Sequence, residues 1–227
     1  MTASGTGAAD AVVPGAEVHG LDTPYGVARA HVRRPRGARG TAVLGHGAGG
    51  GLGSVDLRAA LDALHDGGWA TVLVEQPWLV AGRRVATPPP TLDAAWVPVV
   101  TALTRGRGRM ARVPGPLLLG GRSAGARVAC RTAAALGADA VLCLSFPLHP
   151  PGRPDRSRAG ELALVVDAGT PVLVVQGERD PFGGPDDVAP YVPVGCVQPV
   201  AGTHTVARGA AGRVREVVAG FAASLTA

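Results

Sequence analysis

The chain has 227 residues, 46% hydrophobic and 17% charged, enough to bury one sheet on both faces and too few for two full domains. Its formal net charge is +5 at pH 7, but the basic residues are all arginine, and lysine, asparagine and isoleucine do not occur. A coding bias toward G and C accounts for the arginines, and with only 4% aromatic residues there is no stacking platform, so the basic balance does not imply a nucleic-acid partner.

Residues 1–15 are a small-residue leader, expected to be disordered, with no basic segment followed by an apolar core as in a signal peptide. Residues 16–227 are expected to form a single α/β domain. No uncharged apolar run approaches the ~18 residues of a membrane span. Cys130, Cys143 and Cys196 are odd in number and lack a C-x-x-C pair, a reduced, non-metal pattern. The expectation is a cytoplasmic protein with no membrane partner.

Ala16–His19 and Gly26–Val32 read as an opening antiparallel pair around a turn at Asp22-Thr23-Pro24-Tyr25-Gly26. Apolar runs then alternate with helical patterns. These are strand Thr41–Leu44, helix Ser54–His65, strand Thr71–Val74 and helix Leu92–Arg105, then strand Leu117–Leu119, helix Ala124–Leu136 and strand Ala140–Leu144. Strands Val172–Val175 and Val197–Val200 and helix Ala211–Leu225 complete the chain. Such alternation predicts a mostly parallel sheet covered by helices on both faces. Ser54 is placed to cap its helix, and Gly67-Gly68 to stop it. Pro98 should kink or divide the second helix.

After the strand Thr41–Leu44, Gly45, Gly47 and Gly50 satisfy G-x-G-x-x-G, and Glu75 ends the next strand where a ribose-binding acid could stand, so an NAD(P)-binding Rossmann oxidoreductase competes. Against it, two strands precede the loop, and His46 is awkward where backbone must approach pyrophosphate. A His-Gly-x turn suits another task, presenting the Ala48 N–H to a developing oxyanion.

The second candidate is Gly121-Arg122-Ser123-Ala124-Gly125. With 34 glycines and six serines in the chain, chance alone gives about 0.1 matches to G-x-S-x-G, so context must decide. A buried-strand run precedes Ser123 and a helix follows. At such a corner the serine backbone is strained, the flanking glycines leave room, and the helix start offers the Ala124 N–H as a second oxyanion donor. Serine needs a base. Only His149 and His204 follow in the required order, and His204 lies after Val197–Val200 at the carboxyl edge of the sheet. Asp180, just beyond Val172–Val175, is the matching acid, with Asp186, Asp187 and Glu178 as fallbacks. Arg122 and Arg127 either pair with carboxylates or bind an anionic substrate, Trp78 reads as packing, and His149 either lines a pocket or is structural.

These stretches, with Phe146 to Pro154 and Gln176 to Gly183, resemble a family of α/β hydrolases. It includes testis-expressed protein 30 and the hydrolase-like domain of subunit 3 of the nonspecific lethal chromatin complex. The resemblance implies an α/β-hydrolase fold and a Ser123, Asp180, His204 triad. Two positions depart from the family pattern: Ala126 replaces a second glycine, and Thr203-His204-Thr205 replaces Asp-His-Ser. The expected activity is hydrolysis of small ester, thioester or related acyl bonds through an acyl-enzyme. It needs no cofactor or metal, and the short 147–170 segment leaves the site without a lid. The alternative is a hydrolase-like interaction module with slow or vestigial activity.

Overall fold

The structure is a computed structural model that describes residues 13–49, 51–106 and 113–227. Most of the expected leader therefore lies outside the described residues, and its last residues turn over a buried Val13. The strands are β1 (Glu17–Thr23), β2 (Gly26–Arg33), β3 (Thr41–Gly45), β4 (Ala70–Glu75), β5 (Leu117–Arg122), β6 (Ala140–Leu144), β7 (Val172–Gly177) and β8 (Val197–Val200). They form one eight-stranded sheet in the order β1-β2-β4-β3-β5-β6-β7-β8. Strand β2 runs antiparallel to both its neighbours, and every pair from β4 to β8 is parallel.

Period-two alternation explains why both faces are covered. Val43, Leu117, Leu119, Val141, Cys143, Val172 and Val174 point into one core, which α3 (Pro89–Arg105), α4 (Ala124–Leu136) and α5 (Ala159–Val166) close. Their neighbours Ala42, Leu44, Leu118, Leu142, Leu144, Leu173 and Val175 point into the other, beneath α1 (Val55–Asp66) and α7 (Ala211–Ser224). Among the described residues no helix is long and apolar enough to cross a membrane.

Four local expectations need correction. The turn joining the first two strands is only Pro24-Tyr25, because Thr23 pairs with Gly26 and its Oγ1 accepts the Tyr25 N–H at 3.1 Å. Ser54 sits at the N-cap, but its side chain makes no capping bond. Of the two outcomes expected at Pro98, division does not occur, since α3 runs through it unbroken with Ala95, Trp96, Val99 and Val100 on either side buried in the core. The sequence pattern also overlooks α2 (Pro77–Val80), α5 and α6 (Pro185–Val188), which are short or begin among prolines and glycines.

Candidate active site

The corner between β5 and α4 holds Ser123 at φ 53°, ψ −109°, outside the regions open to L-residues without strain. Strain of this kind costs about 1–3 kcal/mol and persists only where the surroundings over-determine it. The surroundings here do so. Ser123 N–H donates to Leu144 O of β6 at 2.9 Å, and Ser123 O accepts from Arg127 N at 3.2 Å. A Cβ on Gly121 or Gly125 would run into the Gly45 carbonyl oxygen, so β3, β5 and α4 approach this closely only because both positions are glycine.

His204 occupies the loop after β8, which the Gly202–Val206 bridge closes. Asp180 follows β7. Backbone bonds tie the two loops together, from Glu178 N to Val200 O at 2.9 Å and from Arg179 N to Gly202 O at 3.0 Å. The consequence is a continuous line of side chains, with Ser123 Oγ 2.9 Å from His204 Nε2 and His204 Nδ1 2.8 Å from Asp180 Oδ2. Asp180 is buried. Its Oδ1 accepts the Phe182 N–H at 2.9 Å and its Oδ2 accepts from Gln176 Nε2 at 3.1 Å, while the Phe182 ring lies 4.2 Å from the imidazole, centroid to centroid. A carboxylate so fixed holds Nδ1 in the protonated tautomer and leaves Nε2 free to take the serine proton.

The Gly-rich loop reaches the same place. A Cβ on Gly47 would lie 3.6 Å from Ser123 Cβ, and Ala48 and Ala124 line one cavity of about 370 Å³ with Ser123, His204 and Phe182. Ala124 opens α4, where the first backbone N–H groups have no intrahelical acceptor. His46 fixes the loop from below. Its Nε2 accepts the Gln76 N–H at 3.1 Å, which leaves the proton on Nδ1 to donate to Gly47 O at 2.9 Å. Burial holds its pKa below the ordinary value, so the ring is neutral.

This geometry removes the dinucleotide reading. Gly50 lies outside the described residues, but a phosphate loop must open directly into a helix, and α1 begins only at Val55. Glu75 faces back across the sheet, where its Oε2 lies 3.4 Å from His31 Nε2 and 3.8 Å from Arg29 Nη1.

The alpha/beta hydrolase domain family matches residues 38–208. The chain belongs to this family. No curated protein matches its sequence. Three similar solved structures share its fold. One is an α/β serine hydrolase without a lid from Xanthomonas campestris, with 20% identity, a TM-score of 0.69, and 93% of this chain and 96% of that one covered. A second is an α/β serine hydrolase homologue from Coxiella burnetii, at 18% identity and TM-score 0.70, covering 89% and 95%. The third is the esterase domain of a Rhodothermus marinus protein, at 15% identity and TM-score 0.68, covering 92% and 98%.

Within this α/β-hydrolase fold the remaining sequence candidates separate. Asp187 Oδ2 accepts the Gly184 N–H at 2.8 Å and serves its own turn. His149 Nδ1 lies 2.9 Å from Pro150 O. Trp78 packs in the core against His46, with ring centroids 5.4 Å apart. Arg122 Nε donates to Asp56 Oδ2 at 3.1 Å and Nη2 to the His204 carbonyl at 2.6 Å, which braces the histidine loop from the elbow. Sequence reasoning overlooked Asp56, Gln176, Phe182 and Arg158. Only Gln176 leaves a local trace, as an amide ending an otherwise apolar strand run.

Proposed function

We propose that the protein is a serine hydrolase of small ester, thioester or related acyl bonds. The observation that carries this reading is the line from Ser123 through His204 to Asp180, at 2.9 and 2.8 Å, on a strained strand-to-helix corner. Ser123 Oγ attacks the acyl carbon while its proton passes to His204 Nε2, and the Ala48 and Ala124 N–H groups hold the resulting oxyanion. The bond to the leaving group then breaks, and that group departs with the proton from Nε2. Water, deprotonated by the same nitrogen, releases the acyl group and restores Ser123. Asp180 keeps the imidazole in the required tautomer and stabilises its cation.

The Rhodothermus marinus relative is an esterase domain, which supports the acyl-ester class. The segment from β6 to β7 holds one eight-residue helix, α5. So short a cover suits a small or flexible acyl group, and interfacial activation is not expected. The chemistry calls for no cofactor.

A fluorophosphonate probe tests the assignment. Wild-type protein should label at Ser123, and Ser123→Ala should not. Equal labelling of the two, or none of the wild type, would overturn it.

A further inference from the structure

The cavity beside Ser123 has a second chemical character. Arg127 and Arg158 line it with Pro147. Their charges are not balanced alike. Arg127 binds Glu161 through two bonds, Nε to Oε2 at 2.8 Å and Nη2 to Oε1 at 2.6 Å. Glu161 is also shared with Arg131, which holds Asp93 by a further pair of bonds at 2.8 and 2.6 Å. Asp56 is taken by Arg122. Arg158 has only the Pro147 carbonyl, which accepts from Nη1 at 2.9 Å, and among the described residues no carboxylate lies within ion-pair distance of it. Burial, and then the neighbouring Arg127, pull its pKa below the usual guanidinium value, and the more distant Glu161, already held by Arg127 and Arg131, offsets only part of this.

A half-buried guanidinium beside another cation is unfavourable unless an anion completes it. We infer, resting on the hydrolase reading, that the substrate carries a carboxylate which Arg158 binds as a planar fork next to the reacting ester, with Arg127 adding to the local potential. Guanidinium suits that task because its N–H groups match the two carboxylate oxygens and its charge does not titrate away. The substrate class is therefore an acidic ester, either a dicarboxylic monoester or an ester of a hydroxy acid. The protein would discriminate against the neutral counterpart.

Two matched pairs of activated esters test this. In the first, the para-nitrophenyl monoester of adipic acid is compared with its neutral amide. In the second, para-acetoxybenzoate is compared with para-acetoxybenzamide, which moves the charge to the leaving group. In wild-type protein kcat/KM should favour the anion about tenfold in at least one pair, and the preference should shrink with added salt because the site is open to solvent. Arg158→Gln should bring that ratio to about one, and Arg158→Lys should retain part of it, since a point charge replaces the fork. Ratios near one in both pairs, or a preference that survives in Arg158→Gln, would overturn the inference while neutral-ester turnover left the hydrolase reading standing. Failure to hydrolyse any of these esters, together with no fluorophosphonate labelling, overturns both.

Discussion

Gln176 Nε2 donates to Asp180 Oδ2 at 3.1 Å, onto the same oxygen that faces His204 Nδ1 at 2.8 Å. With Oδ1 occupied by the Phe182 N–H, the carboxylate accepts on both oxygens and has no room for a donor. Asp180→Asn should therefore be disabling in either amide orientation. With its oxygen toward Phe182, the new NH2 meets both the Gln176 amide and His204 Nδ1 and forces the proton onto Nε2. With the amide reversed, two donors meet at the Phe182 N–H. Turnover of an activated ester should fall by about 10⁴, the loss seen when a triad acid is neutralised. An unchanged rate would move the acid elsewhere.

Gln176 itself is fully buried. Its Oε1 accepts the Phe146 N–H at 2.9 Å, and Nε2 also reaches Phe146 O at 3.1 Å and Gly183 O at 2.7 Å. Gln176→Met keeps the volume and leaves those backbone groups without partners. At about 1–3 kcal/mol for each buried unsatisfied group, urea denaturation should show a loss of about 3 kcal/mol or more. The effect on turnover should be smaller than that of Asp180→Asn, since Phe182 still orients the acid. A midpoint equal to wild type would show that Gln176 does not hold the two loops together.

The sequence made the central sheet legible because its buried strands are short apolar runs between turn residues, so β6, and α4 before it, fall where the pattern puts them. Ser123, Asp180 and His204 could be chosen because each follows a strand in a fixed chain order. What stayed hidden depends on contacts distant in sequence. Asp56, in the first turn of α1, reads as an ordinary acid at a helix start, yet its side chain lies under the elbow and meets Arg122, 66 positions away. Arg158 sits in a Pro- and Arg-rich stretch with no periodicity, and only the folded chain brings it to Ser123.

That Asp56–Arg122 pair predicts a joint loss of stability and activity. Asp56 and Arg122 side chains are 2% and 12% exposed, and Asp56 Oδ2 also accepts from Ser145 Oγ at 3.3 Å. Asp56→Asn strands the Arg122 charge, and breaking a buried pair on one side costs about 3–5 kcal/mol. Because Arg122 also holds the His204 carbonyl, turnover should drop even in the fraction that stays folded, measured after correction for active sites by fluorophosphonate titration. A stable variant with full turnover would show that the pair does not brace the histidine loop.

Gly125→Ala probes the elbow without touching a reacting group. The new Cβ would collide with the Gly45 carbonyl and lie 2.5 Å from its carbon, and backbone on both sides leaves little to give way. Overpacking of this kind costs about 1–3 kcal/mol or more. It should also displace Ser123 from His204. Expected outcomes are a lowered thermal midpoint and loss of most labelling. Gly160→Ala is the control, since a Cβ there meets nothing within 4 Å; within α5 it should leave the thermal midpoint at or slightly above that of wild type, a gain of at most about 1 kcal/mol in stability, with labelling unchanged.

His46 gives the fold a pH dependence whose sign follows from its tautomer. In the native state Nε2 must stay bare to accept the Gln76 N–H, and burial holds the pKa below the ordinary 6.5, with the Gly47 carbonyl and Glu75 offsetting only part of that. Below about pH 6.5 the unfolded chain binds a proton at this site that the native chain refuses, so unfolding is favoured. Stability should be constant above that pH, fall as pH drops through the window down to the native pKa, and then level off. His65 is also lowered, by burial and then by Arg33, and contributes with the same sign. Urea denaturation at about pH 8 and about pH 5.5 should show wild type losing stability on acidification. In His46→Gln, which cannot titrate and whose amide can still accept the Gln76 N–H, stability at the higher pH should be reduced but the fall should be shallower. Equal slopes in the two proteins would mean that His46 is not the residue that refuses the proton.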